Sequence, residues 1–445
     1  MDTLPSELLC NILSNLDGRS LLAAASVCCK WQTVIQTISA NSNIWFVCCL
    51  REININTLVA LTGRTELVIS NGIYKTKQAK DEWQYWKNIY LQYYRYTILG
   101  KMQNVKISTI KLPCSSNFES VVVTALQGGD KNTLIMCHKS GLVYAVINAY
   151  QQDPTDLEFR LLPLHSHSVS DVGLVRPGGS GNHENRILII TVDLAGYVNL
   201  CSFDGVPKAQ LRVSSKHIKG VSTFGKYFTV GMHASMVPGV QVFKVEWQGV
   251  HLKIDIIMRL SGLLYSDINA VVLSHDKLAA GDQQGVLYLW NLPSLVGSDQ
   301  NPSTVKMEDP CVRNPIQCLQ MEASVSQIVA CQDSYVILLS NRTLIVLRPD
   351  GKLLRISVDA LGSSAGVQAE PICIATNGPV LGVGCQHGIV LLFNTHEDKW
   401  WTNLRGSLMY TLRTHVNHVV SLAITYNGAR TIVIAGGNHA EVYCW

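Results

Sequence analysis

The chain has 445 residues, more than one ordinary domain needs, with 47% hydrophobic and only 15% charged residues. Typical domains carry roughly a quarter charged residues, so this composition suits extensively buried strands and excludes a disordered chain. The net charge of +4 is mild and no Lys/Arg block stands out, which removes nucleic acid from the expected partners.

The chain opens on Leu4-Pro5-Ser6-Glu7-Leu8-Leu9, with further apolar residues at Ile12, Leu13 and Leu16. That spacing predicts a helix with one broad apolar face. Pro5 suits a first turn, where its missing N–H is no loss, and Glu7 complements the helix dipole. Asp17-Gly18 is expected to stop this helix, with glycine taking the left-handed conformation. A second helix runs through Leu21, Leu22 and Ala25. A third begins near Lys30-Trp31 and carries Val34, Ile35 and Ile38. Three short helices cannot bury a self-sufficient core. Their Leu, Ile and Trp face needs either a partner or the rest of this chain to dock on.

Residues 46 to 80 read as an irregular linker with one helix: Leu58-Val59-Ala60-Leu61 and Leu67-Val68-Ile69 are short apolar runs broken by Gly63 and Gly72. From Asp81 to Tyr96, Trp83, Trp86, Ile89, Tyr90, Leu91, Tyr93 and Tyr94 fall at mixed spacings of three and four. This predicts an amphipathic helix with an aromatic stripe. Trp83, Trp86 and Tyr90 are expected to be largely buried, welding the N-terminal helices to the domain on their C-terminal side.

From about Val105, short apolar or alternating runs separated by Gly, Asn, Asp and Pro replace the helical pattern, an all-β texture. One hairpin recurs: Ser140-Gly141-Leu142-Val143 after Leu134-Ile135-Met136, Ala195-Gly196-Tyr197-Val198 after Ile187–Ile190, Gln284-Gly285-Val286 after Lys277–Ala280, and His387-Gly388-Ile389 after Val380–Val383. Glycine supplies the positive φ that such a turn needs. Weaker copies turn at Gly239, Arg342 and His439. Turns at 141, 196, 239, 285, 342, 388 and 439 recur at the interval of four-stranded propeller blades, roughly 40–50 residues. Seven blades closed in a ring is the architecture expected. The final run, Glu441 to Trp445, is the third strand of its blade by pattern and lacks a fourth. Val105–Leu112 alternates Val, Ile and Leu with polar residues, as an outer strand with one wet face does. Lys106 to Leu112 is therefore expected to pair with Glu441 to Trp445 and close the ring.

No basic n-region with an apolar core follows Met1, and no uncharged apolar run reaches about eighteen residues, so neither a secretory signal nor a membrane span is expected. The fourteen cysteines then read as reduced thiols of the cytoplasm or nucleus. No Cys-x-x-Cys occurs, and pairs such as Cys28-Cys29 and Cys48-Cys49 have the wrong spacing for zinc.

The run Leu4-Pro5-x-Glu7-Leu8-Leu9-x-x-Ile12-Leu13-x-x-Leu16, then Leu21-Leu22, Ala24, Val27-Cys28-x-x-Trp31 and Ile44-Trp45, resembles an F-box. The resemblance implies a docking module for the Skp-type adaptor of an SCF ubiquitin ligase, and through it a cullin scaffold. Trp86-Lys87-x-x-Tyr90 is similar to the tail of the helical linker in F-box proteins with WD repeats. The β region resembles WD repeats in degenerate form. Trp290-Asn291 and Phe393-Asn394 stand where a Trp-Asp dipeptide falls, Asp193 and Asp282 match the turn carboxylate, and His415–Leu422 matches the His-bearing approach to an inner strand. Gly436-Gly437 resembles kelch repeats in that one pair alone.

Candidates for chemistry favour bland readings. Gly382-x-Gly384 with Gly388 lies between strands, not between strand and helix, so it reads as a hairpin and not as a dinucleotide loop. Gly178–Gly181 lacks a phosphate-loop Lys-Ser/Thr, and no Gly-x-Ser-x-Gly occurs. His165, His167 and Asp171, and His415 with His418, read as turn partners, and Asp193 and Asp282 as turn carboxylates, not as metal ligands or an acid/base pair. In related F-box/WD proteins arginines rim the channel and read phosphate. Here Asp171, Asn269, Gln317 and Leu287 hold the corresponding positions, and Arg342, Arg413 and Arg430 follow no register.

The expectation is thus a mainly β protein: an F-box helical module over 1–50, a linker with an amphipathic helix over 51–104, and a seven-bladed WD-repeat-like propeller over 105–445. Leu4, Pro5, Leu8, Leu9, Ile12, Leu16, Leu21, Leu22 and Trp31 would form the adaptor contact or its immediate support. The propeller would hold a target protein. No catalytic residue, metal or cofactor is expected. A non-degradative scaffold using the same two surfaces is the alternative, and an enzyme with a propeller-centre site would need convergent titratable groups that the sequence does not display.

Overall fold

The computed structural model describes residues 4–62, 82–102, 105–111, 123–128, 133–138, 140–150, 157–162, 165–178, 187–214, 217–232, 239–260, 266–274, 276–292, 311–358, 369–396, 399–416, 418–426, 431–437 and 439–445. Helices α1 (Ser6–Ser14), α2 (Gly18–Ala25), α3 (Cys29–Asn41), α4 (Ile44–Glu52), α5 (Ile55–Thr62) and α6 (Trp83–Thr97) lead into seven β-sheets.

Two local details differ from expectation. Pro5 stands just before α1, where its carbonyl accepts the Leu9 N–H at 3.1 Å. Asp17-Gly18 starts α2 instead of stopping α1: the Asp17 carboxylate caps α2 by accepting from Ser20 N at 2.6 Å. That hydrogen bond holds the carboxyl below its ordinary range. Glycine is needed at 18 for space, because a Cβ there would lie 2.3 Å from the Tyr90 ring. Tyr90 cannot easily withdraw, since it is buried and its hydroxyl donates to Glu52. Gly18→Ala should therefore destabilise the chain by about 1–3 kcal/mol in denaturant unfolding. An unchanged midpoint would mean the ring moves aside freely.

The stretch expected to be irregular holds α4 and α5, while Leu67–Ile69 lies outside the described residues. α4 escaped the periodicity argument because it is wrapped on most sides: Ile44, Trp45, Phe46, Cys48 and Cys49 are all buried.

The aromatic helix α6 welds the pieces together, as its stripe implied. Trp86 packs on Phe46 at 4.7 Å between ring centroids, and Tyr90 on Trp45 at 5.8 Å. Trp86 and Tyr90 are buried, and Trp83 is partly so. Glu52 ties α2 to α6 by accepting from Gly18 N at 2.9 Å and from the Tyr90 hydroxyl. On the propeller side, Tyr93 Oη meets His396 Nδ1 at 2.5 Å, and the Tyr96 ring meets Tyr426. One apolar core runs from α1 through α6 into Leu392, Leu412, Ile424 and Tyr443.

The seven sheets are blades of a propeller. Blade one comprises Val123–Gly128, Leu134–His138, Val143–Ile147 and Glu158–Leu161, and blade two Val169–Val175, Leu188–Asp193, Tyr197–Cys201 and Pro207–Arg212. Blade three comprises Ile218–Phe224, Tyr227–Met232, Val240–Gln248 and His251–Leu260, and blade four Ile268–Leu273, Lys277–Asp282, Val286–Asn291 and Gln317–Gln320. Blade five comprises Val325–Cys331, Ser334–Leu339, Leu344–Leu347 and Leu353–Ile356, and blade six Pro371–Asn377, Val380–Cys385, Ile389–Asn394 and Leu408–Arg413. Blade seven joins Ser421–Tyr426, Thr431–Gly436 and Ala440–Cys444 to Lys106–Ile110. The first strands touch in a closed ring, with Val123–Gly128 between Val169–Val175 and Ser421–Tyr426.

Closure is built as the alternation implied. Lys106–Ile110 runs antiparallel to Ala440–Cys444, in register Lys106↔Cys444 to Ile110↔Ala440. Trp445 falls beyond the pairing, and Leu112 lies outside the described residues. Blade three has an unforeseen fifth strand, Cys311–Arg313, parallel to Met258–Leu260. It comes from the connection between the last two strands of blade four, so it clasps the two blades together.

The helices cover one end of the ring. Arg176 Nη1 donates to Thr62 O at 2.6 Å, Asn54 Nδ2 donates to Asp333 Oδ2 at 3.2 Å, and Leu61 and Tyr96 crowd Gly378. Arg176, Asp333 and Gly378 all follow the first strand of a blade, and His396 follows a third strand. The opposite face, made of the turns between second and third strands and of the connectors between blades, carries none of these contacts.

Candidate functional site

The candidate docking residues divide by depth. On α1, Leu8 and Ile12 are one helical turn apart and 51% and 52% exposed. Pro5 beside them is exposed. Leu9 and Leu13, on the same helix, are buried against Leu21, Ala24, Val34 and Ile35. Leu4, Leu16, Leu22 and Trp31 are half-buried. Lys30 Nζ donates to Leu4 O at 3.0 Å, tying the start of the chain to α3. The broad face read from the sequence is therefore split. Leu9 and Leu21 build the core that holds the helices, and Pro5, Leu8 and Ile12 stand outward. Val27, 60% exposed between α2 and α3, belongs with the outward residues. It lies in the motif but not among the candidates, because a single valine in a turn carries no periodic signal.

On the propeller His165 and His415 are turn partners, while among the described residues the His167 ring meets only its neighbour Ser166, with Nδ1 at 2.8 Å from Oγ. His165 places Nδ1 at 2.9 Å from Asp193 Oδ2 and Nε2 at 2.7 Å from Thr191 Oγ1. Asp193 Oδ1 also accepts the Ala195 and Tyr197 N–H groups, each at 2.9 Å. Asp282 does the same work for Gln284 N, Val286 N and the Tyr288 hydroxyl. In blade seven a carboxylate from the third strand takes this part. Glu441 accepts from His415 N at 3.1 Å, from the Tyr443 hydroxyl at 2.6 Å, and sits 2.9 Å from His415 Nδ1. Burial pushes the Glu441 carboxyl up, but hydrogen bonds from Tyr443, His415 and His439 outweigh it and hold the group below its ordinary range. Among the described residues no three His, Cys, Asp or Glu side chains are grouped to hold a metal ion. The Cys48 thiol is pushed up to about 12 by burial and by the Glu52 charge, so it stays protonated at neutral pH.

Asp171 and Asn269 stitch neighbouring blades. Asp171 accepts from Val172 N at 2.8 Å and, across the seam into blade three, from Val221 N at 2.9 Å. Asn269 Nδ2 donates to Val325 O at 3.1 Å across the seam into blade five. Burial pushes the Asp171 carboxyl up to about 6, against the pull of those two N–H groups. Because the folded value exceeds the ordinary 3.8, the folded state holds the proton more tightly. The associated stability is full below about pH 4 and is lost as the pH rises through about 6. Between pH 7 and 5 the chain should therefore gain roughly 1 kcal/mol relative to Asp171→Asn. Parallel pH profiles of the two proteins would contradict this.

Residues 1–46 match the F-box-like family, so the chain carries an F-box-like domain followed by a seven-bladed β-propeller. No curated protein matches the chain. Among solved structures, it is similar to the computationally designed Ika8 protein in the crystal structure of its packing No.1 in P63. The two are 14% identical with a TM-score of 0.45, over 74% of this chain and 98% of that chain. The fold rests on the strand pairing above and not on that likeness. Among the described residues no helix is long and apolar enough to cross a membrane.

Proposed function

We propose that this chain is the substrate-receiving subunit of an SCF-type ubiquitin ligase. Its F-box-like domain docks a Skp-type adaptor, and through it a cullin scaffold, with Pro5, Leu8, Ile12 and Val27 as the contact. Leu4, Leu16, Leu22 and Trp31 border that contact, and Leu9 and Leu21 support it from the core. The propeller, of WD-repeat type, holds a target protein. The His165–Asp193 and His415–Glu441 turns support that assignment of type. The single observation that carries the reading is the placement of the two surfaces. The helices are welded to one end of the ring through Glu52, Tyr90, Tyr93 and Tyr96, which leaves the other end for a target.

The chain's own part is proximity. A rigid arm between adaptor and target keeps target lysines near a ubiquitin-charged enzyme, raising effective concentration without breaking any bond itself. Cytoplasm or nucleus, where thiols stay reduced, suits a chain with many free cysteines.

The test is reconstitution with purified adaptor, cullin, RING subunit and charged conjugating enzyme. Ubiquitin chains should form on proteins that co-purify with the propeller. Adaptor binding with no chains on any co-purified protein would favour the non-degradative scaffold.

A further inference from the structure

Two helices join the docking end to the propeller, and they hold different parts of the ring. Helix α6 grips blades six and seven. Tyr93 meets His396, Tyr96 packs on Tyr426 and crowds Gly378, and just beyond the helix Met102 O accepts from the Tyr410 hydroxyl. These contacts lie on neighbouring blades. A grip on one side of a ring leaves the far side free to rock about it, as domains joined over one patch do.

Helix α5 removes that freedom. Just before it, Asn54 Nδ2 donates to Asp333 Oδ2 at 3.2 Å on blade five, and at its end Thr62 O accepts from Arg176 Nη1 at 2.6 Å on blade two. Asp333 and Arg176 each follow the innermost strand of their blade, so both anchors flank the central channel. Blades two and five stand three apart in a ring of seven, nearly opposite each other. The eight residues of α5 span about 12 Å, so the helix crosses the mouth of the channel from rim to rim. It is firmly seated, with Thr57, Leu58, Leu61 and Thr62 all buried. The blade-two anchor is itself braced. Arg176 N donates to Gly225 O and Gly178 N to Val245 O, each at 2.9 Å, which ties this turn to blade three.

We propose that α5 is a crossbeam that fixes the tilt of the propeller against the docking end, with Arg176 and Asn54 as its positioning residues. The proposal rests on the ligase reading and deepens it. Blade two, blade five and the pair of blades six and seven are three separated points, and three points fix the tilt of a ring where one does not. Without the far anchors a bound target would sweep a wider volume before the ubiquitin-charged enzyme. The effective concentration of any one target lysine would fall accordingly.

The test uses the full chain with nitroxide labels on ketone-bearing residues placed at Gln36, exposed on α3, and at Val250, the 75% exposed tip of the third hairpin strand pair in blade three. Blade three lies across the ring from blades six and seven, so a rocking motion moves that tip furthest. Pulsed electron resonance should give one narrow distance for the native sequence. Arg176→Ala should widen the distribution about twofold or more while adaptor capture is kept, and Arg176→Lys, which retains a donor, should restore most of the narrowness. Asn54→Ala should widen it likewise from the other end, and decides the matter if Arg176→Ala fails to fold. In the reconstituted ligase both alanine variants should spread ubiquitin over more of the propeller's own lysines. Unchanged distance widths in both alanine variants would overturn the crossbeam. Widening in the variants, with no ubiquitin transfer by the native chain, would refute the ligase reading and leave the crossbeam standing.

Discussion

Replacing Leu8 and Ile12 together by aspartate should abolish capture of a Skp-type adaptor while the chain still unfolds at its normal midpoint. Both side chains are about half exposed in the free chain, so the fold does not depend on them. Burying each against a partner is worth roughly 1.5–3 kcal/mol. Losing both weakens binding by about 10²–10⁴, before the cost of desolvating two carboxylates is added. The neighbouring substitution Leu9→Asp is the instructive contrast. Leu9 is buried in the shared core, so a charge there should unfold the helices themselves and report nothing about docking. Adaptor capture by the Leu8→Asp, Ile12→Asp chain at wild-type level would remove α1 from the contact.

Deleting Lys106–Ile110 should destabilise the whole propeller and not fray one end. The segment supplies the outer strand of blade seven, and its loss would leave the Ala440–Cys444 edge unpaired. Ile110 is buried among Ala440, Val442 and Cys444, worth roughly 1.5–3 kcal/mol. The lost strand hydrogen bonds add about 1 kcal/mol each. The total approaches the 5–15 kcal/mol that typically separates folded from unfolded domains. Ile110→Ala should cost about 2–5 kcal/mol, a milder version of the same effect. A deletion variant that stays soluble and melts in one sharp transition near the wild-type midpoint would show that closure does not depend on this strand.

Elements whose side chains repeat a pattern were legible in the sequence. The hairpin tips announced themselves through glycines that the turn requires, and the aromatic stripe of α6 through its spacing. The closing strand showed through alternation, because one of its faces is wet: Ile107 is exposed and Ile110 buried. What stayed hidden lacks such a signal. α4 is apolar on nearly every side, so no period marks it. The fifth strand of blade three is three residues paired across a blade boundary, a contact that exists only after the ring has formed.

The apolar face of α1 was legible as a set and not as a surface. α1 presents one wide apolar stripe, and only the packing of α2 and α3 decides that Leu9 turns inward and Leu8 outward. Glu441 is a similar case. Blade seven lacks the turn aspartate, and a carboxylate from the next strand reaches His415 instead.

Amide hydrogen exchange of the full chain, with and without a purified Skp-type adaptor, tests the central claim most directly. Helix α1 and the α2–α3 junction at Val27 should gain protection, while the turns around Ser340–Thr343 on the far face of the propeller stay unchanged. Protection on that far face, or none on α1, would contradict the proposed division of the molecule into a docking end and a target end.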